Sequence, residues 1–170
     1  MTRILVPLFL LSLGASAQIG DLSEHVSLIK QLVPNSTRFG VFYNPNDGSI
    51  DGQVAKATQD TGIQAVKSPI KSIREVSSSV RSMAKYQVDF IVLIEDKVVT
   101  GKNAIKFVVK QTVKKKIPVF TVSEAAFSGG ALGQFVNNGG KWQVKINGKL
   151  LPKFDISVPD GSDQFIIVEE

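Results

Sequence analysis

Three short polar stretches carry the side chains best suited to chemistry in this 170-residue chain: residues 44–49, 95–97 and 123–124. They offer amides, hydroxyls and carboxylates, groups that hold a solute through hydrogen bonds and charge. None forms a catalytic set. His25 is the single histidine. It falls on a stretch predicted to be a surface helix, without an obvious acid to orient it, so a Ser-His mechanism lacks its base. The chain has no cysteine, which removes disulfides, thiolate metal sites and thiol nucleophiles together. One His and no spaced carboxylate cluster make no metal-ligand pattern. There is no P-loop, and Gly129, Gly130, Gly133, Gly139 and Gly140 do not follow the dinucleotide fingerprint. The inventory predicts a binding protein that needs no cofactor, rather than an enzyme.

Each polar stretch follows a run that reads as a strand. Phe39-Gly40-Val41-Phe42-Tyr43 is uncharged and mostly apolar, the pattern of a strand buried on both faces in a parallel sheet. It stops at Asn44-Pro45-Asn46-Asp47-Gly48, where nearly every residue is a turn former. Ser49 opens a helical pattern with Ile50, Val54 and Ala57 on one stripe and Gly62 as its stop. As a Ser ahead of a helix it reads first as a cap, with solute contact as an added role. Residues 88–94 form the most strand-like run, ended by Glu95-Asp96-Lys97. Residues 117–121 form another, followed by Ser123-Glu124, a turn or helix cap.

The remaining elements complete an alternation. Residues 21–33 read as a helix capped by Asp21 and ended by Pro34. A short strand covers 63–66. Ser72-Ile73-Arg74-Glu75 is a capping-box pattern ahead of the helix that ends near Gln87. A helix covers 102–115, with Lys114, Lys115 and Lys116 at its carboxyl end, where cations offset the helix dipole. A fifth strand covers 131–136. Alternating strands and helices predict a three-layer α/β fold. Its sheet is mostly parallel, in the order 2-1-3-4-5, with right-handed crossovers and helices on both faces. After Gly140 the pattern changes. Asn147-Gly148 and Asp160-Gly161 are hairpin signals, and residues 155–158 and 164–168 read as strands, so an antiparallel tail is predicted. In this topology the ends of strands one and three flank the switch point. The three polar loops gather there beside the amino end of the second helix, whose N–H groups favour a carboxylate or other anion.

Composition sets the outer bounds. A hydrophobic content of 43% and a charged content of 21% suit one globular domain. The net charge of +5 is basic, but the lysines read as scattered apart from the 114–116 cluster. No basic face with interleaved aromatics marks a nucleic-acid partner. Arg3, the apolar run 4–13 and Ala15-Ser16-Ala17 have the form of an export signal cleaved after Ala17. The run is too short to span a bilayer. The expected product is a periplasmic domain spanning residues 18–170. A phospho-receiver shares the predicted topology, but the export signal and the missing Lys after strand five argue against it.

From about Glu24 to Gly133 the chain resembles one lobe, the carboxyl-terminal one, of the ABC-transporter periplasmic substrate-binding protein family. The resemblance rests on IKQLVPNSTRFGVFYNPND, VDFIVLIEDKVVT and KKIPVFTVSEAAFSGGAL. It implies a non-enzymatic lobe that binds a small anionic or zwitterionic solute for transport or sensing. Asn44, Asn46 and Ser49 would line the cleft from the first loop, Asp96 from the second, and Gly130 and Ala131 from the third; Ser123 joins them from its loop position. In that family two lobes close on the solute. A single lobe implies a homodimer, or an inner-membrane transporter or sensor protein, as the other wall. The family also has a helix where this chain shows hairpin-like sequence. Residues 118–148 are similar as well to small YfiR-like periplasmic regulatory proteins, which implies the alternative of an adaptor acting through protein–protein contacts.

Overall fold

The computed structural model describes residues 22–169. The proposed export signal, its cleavage site and the Asp21 cap lie outside the described residues. In chain order the elements begin with α1 (Leu22–Leu32), β1 (Arg38–Tyr43), α2 (Ile50–Thr61), β2 (Gln64–Pro69) and α3 (Ile73–Lys85). Next come β3 (Phe90–Leu93), α4 (Lys102–Val113), β4 (Val119–Thr121), α5 (Glu124–Ser128) and β5 (Gly133–Asn138). The chain closes with β6 (Lys141–Asn147), a 3-10 turn (Gly148–Leu150), α6 (Leu151–Phe154) and β7 (Phe165–Val168).

All seven strands share one sheet, ordered β2-β1-β3-β4-β5-β6-β7. The first five pair in parallel, so the predicted order 2-1-3-4-5 holds. β1 and β3 are buried on both faces because their side chains alternate between two helix layers. Phe39, Val41, Phe90 and Val92 pack with α1 and α2 residues such as Val26, Ile29, Ile50 and Val54. Phe42, Ile91 and Leu93 pack with Val76, Val80 and Met83 of α3 and Ile105 and Val108 of α4. This period-two division is what the uninterrupted apolar runs encode.

Local signals hold in part. The Gly62 N–H donates to the Thr58 carbonyl, with Gly62 in the left-handed region. The capping box at Ser72 is shifted: Glu75 Oε2 accepts from the Lys71 N–H at 2.8 Å, and the Ser72 side chain makes no cap. Ser123-Glu124, read as a turn or helix cap, opens the short helix α5, with Ser123 as its cap.

The tail departs further from expectation. The hairpin turns at Gly139-Gly140, both at positive φ, where Asn138 and Lys141 pair. Asn147-Gly148 instead leads into the 3-10 turn, and residues 155–158 form no strand. β6 is antiparallel to β5, but β7 pairs in parallel with β6. The two tail strands thus run together, against the body of the sheet. His25 is not on the surface. It is 1% exposed, stacked on Phe135 at 4.0 Å and meeting Trp142 edge-on at 4.6 Å. His25 lies three residues after Leu22 and four before Ile29, on the buried side of α1, and the β6 strand covers that face.

Gly133 is where the parallel body meets the tail. A Cβ there would lie 2.6 and 2.8 Å from the Phe120 ring and 2.9 Å from Val144. Gly133→Ala should therefore destabilise the fold by about 1–3 kcal/mol through overpacking, read as a lower urea midpoint at unchanged slope.

Candidate functional site

The parallel register brings three loops to one rim. Phe42 pairs with Leu93, and Leu93 with Thr121. Asn44, Glu95 and Ser123 each lie two residues further on, at the carboxyl ends of adjacent strands. The order reverses between β1 and β3, so this is the switch point at which open α/β sheets hold ligands.

The first two loops are joined directly. Asn44 Nδ2 donates to Asp96 Oδ2 at 2.9 Å. Asn44 Oδ1 accepts from the Asn46 N–H at 2.9 Å, an Asx turn that fixes the amide's orientation. The other carboxylate oxygen of Asp96 accepts from the Val98 N–H at 2.7 Å and the Val99 N–H at 3.4 Å. Its carbonyl accepts from Thr100 Oγ1 at 2.7 Å. Burial pushes the Asp96 carboxyl up, but hydrogen bonds from Asn44 and from the backbone of Val98, Val99 and Lys97 outweigh it and hold the group below its ordinary value. Asp96 thus stays ionised on a rim whose shape it also sets.

Asn44, Asn46, Asp47, Ile94, Glu95 and Asp96 line an open hollow of about 240 Å³. Asp47 and Glu95 were not singled out as ligands from the sequence, although both sit in the loops that were. The hollow is acidic, with Ile94 as its apolar floor. It falls short of the roughly 300–1,000 Å³ of a complete small-molecule pocket. Among the described residues, no group of three or more His, Cys, Asp or Glu could hold a metal ion. A larger hollow of about 580 Å³ lies between α1, the end of α2 and the start of β6. Asp60 there is already engaged at 2.6 Å by Ser23, which ties α1 to α2, and at 2.6 Å by Lys56 one turn back on α2.

The other candidates are placed elsewhere. Ser49 is exposed and already helical in conformation, so it caps nothing. Its N–H and Oγ donate to Asp47 Oδ1 at 3.0 and 2.6 Å, and its Oγ accepts from Gln53. Asp47 therefore supplies the negative charge at the amino end of α2. Ser123 is on the rim but buried, and its Oγ accepts from the Ala126 N–H to cap α5. Gly130 and Ala131 precede β5. The Leu132 N–H donates to the Val119 carbonyl at 2.8 Å, which sets both residues level with the start of β4, at the opposite end of the strands. A Cβ on Gly130 would lie 3.1 Å from Val109 of α4, and Ala131 is fully buried.

Removing the Asn44 amide should leave Asp96 short of one charged hydrogen bond. Asn44→Ala is expected to cost about 1.5 kcal/mol and to raise the Asp96 pKa, followed by NMR titration of the carboxyl carbon. Because the folded pKa is depressed, Asp96 adds stability above its unfolded value of about 3.9. That contribution disappears as pH falls through the folded pKa. The stability gap between wild type and Asp96→Asn, measured by urea denaturation, should be largest near neutrality and shrink below about pH 4.

Comparison with known proteins agrees with this geometry. The model of the ABC transporter substrate binding protein family matches residues 14–147. Among solved structures, a conserved domain protein from Vibrio cholerae aligns with TM-score 0.71 and 22% identity, over 82% of this chain and 56% of that one. The ligand-free, open structure of a substrate binding protein with adhesive properties from Clostridium difficile aligns with TM-score 0.72 and 18% identity, over 88% and 60%. An ABC domain in complex with L-Trp from Streptococcus pneumoniae aligns with TM-score 0.71 and 20% identity, over 86% and 60%. At these identities the likeness is one of fold, and the chain spans less than two thirds of each structure's length. No protein with a curated description matches. The family match covers most of the chain, and this protein belongs to the ABC transporter substrate binding protein family.

Proposed function

We propose that this chain is a non-catalytic solute-binding lobe that takes the ammonium end of a small zwitterion, such as an amino acid, on the rim built by Asn44, Asn46, Asp47, Glu95 and Asp96. The Asn44–Asp96 hydrogen bond across the switch point carries the reading, because it orients an ionised carboxylate at the mouth of the hollow. The charge of the lining favours a zwitterion over a bare anion. Three carboxylates face the hollow, and Asp47 already occupies the amino end of α2. The L-Trp complex of a protein with the same fold supports an amino acid as the class of solute.

The lobe encloses only part of its ligand, so a second wall completes the site, supplied by another copy or by a partner. Delivery to an inner-membrane transporter or sensor after export to the periplasm fits the family and the signal-like residues 1–17. A second reading, an adaptor acting through its tail, is favoured by Ile166 and Ile167 on the edge strand β7, 38% and 52% exposed.

A thermal-shift screen of amino acids and small carboxylates distinguishes the two. Solute binding should appear as saturable stabilisation that Asp96→Ala abolishes and Ser49→Ala retains. Stabilisation by carboxylates lacking an amine would refute the ammonium assignment. No hit together with a stable complex on pull-down, lost on Ile166→Lys and Ile167→Lys, would replace the binding reading with the adaptor.

A further inference from the structure

The strongest charge asymmetry on the molecule starts at Lys97, in the second rim loop, and runs on along α4. Residues 97–116 contain seven lysines and no Asp or Glu. The chain's net charge is +5, so without this segment it would be negative. Lys102, Lys106, Lys110 and Lys114 recur every fourth residue, which puts them on one side of α4. All four are exposed, and none enters an ion pair among the described residues. They extend over about 18 Å at the helical rise. α3 packs beside α4 in the same layer and adds exposed Arg74, Arg81 and Lys85. The half-buried carboxylate of Glu75 is committed to the Lys71 N–H.

We propose that the outer face of α4, with α3 at its flank, docks peripherally on an anionic phospholipid surface. The stripe is built from lysines, point charges on flexible stems, rather than arginine forks that grip one carboxylate or phosphate. The α4 stripe itself has no exposed large apolar side chain; Ile73 and Tyr86 stand at the two ends of the flanking α3, Ile73 beside Lys102, and Ile166 and Ile167 are on β7. A protein partner would need such an anchor at the centre of its interface, and a single-stranded nucleic acid would need stacking aromatics. Evenly spread cations with no apolar anchor among them match a diffuse layer of negative headgroups. A contact made by these lysines is electrostatic and reversible. Docking by this face does not rest on solute binding.

Co-sedimentation of the full chain with vesicles tests it. Vesicles of phosphatidylglycerol and phosphatidylcholine should retain the protein in low salt and release it in high salt. Pure phosphatidylcholine should retain little; equal retention there would overturn the proposal by pointing to apolar insertion. K102Q/K106Q/K110Q/K114Q should lower partitioning by about tenfold or more, with far-UV circular dichroism confirming the fold. A matched variant, K67Q/K141Q/K149Q/K153Q, should keep most of the binding. Equal loss in both variants would reduce the effect to net charge and overturn the assignment to α4. Failure to bind anionic vesicles, with or without retention on duplex DNA, would also overturn it.

Discussion

Phe39 and Phe90 lie ring to ring at 5.8 Å, paired across β1 and β3, and the rest of the architecture follows from how those two strands are covered. Neither strand exposes a face. Phe39, Val41 and Val92 require a helix layer on one side; Phe42, Ile91 and Leu93 require one on the other. A buried side chain of this size is worth about 2–3 kcal/mol, so leaving either face open would cost more than a domain can spare. Among the five parallel strands every connection returns across a face, and their carboxyl ends emerge on one rim.

The rim uses that arrangement sparingly. Asn44 and Asp96 come from loops 52 residues apart, yet strand register alone brings them to one height. The loops satisfy much of their own hydrogen bonding through Asp96 with Val98 and Asn44 with Asn46. The Asp96 carboxylate is therefore held in position by the loops themselves. The same self-sufficiency gives the amino end of α2 to Asp47. A helix terminus that looks available to an anion in a one-dimensional reading is already occupied in three dimensions.

Charge is divided between the surfaces. The carboxylates of Asp47, Glu95 and Asp96 gather at the rim, while the α4 stripe is purely cationic. The two differ in form: one offers a small hollow, the other a long set of flexible charges. Buried aromatics reinforce the separation. His25 of α1 packs against Phe135 and Trp142 beneath β6.

Much of this was legible in the chain itself. The apolar runs at 39–43 and 88–94 specify doubly buried strands, and the turn formers after Tyr43 specify where the first loop begins. Alternating elements specify parallel order, and with it the switch-point rim. These signals are local, set by side-chain periodicity and backbone preference. Reading lysines by runs singles out 114–116 and passes over the four-residue recurrence that makes the α4 stripe. What only the folded chain decided depends on partners distant in sequence. β6 buries His25. Gly139-Gly140, rather than Asn147-Gly148, closes the hairpin, because β5 pairs with β6 from Gly133 to Asn138. Gly130 and Ala131 go to the far end of the strands, because α5 reverses the chain before β5 begins. Each of these outcomes is settled by which surfaces remain to be covered after the local elements have formed, and that balance is a property of the assembled sheet and helices, not of any one stretch.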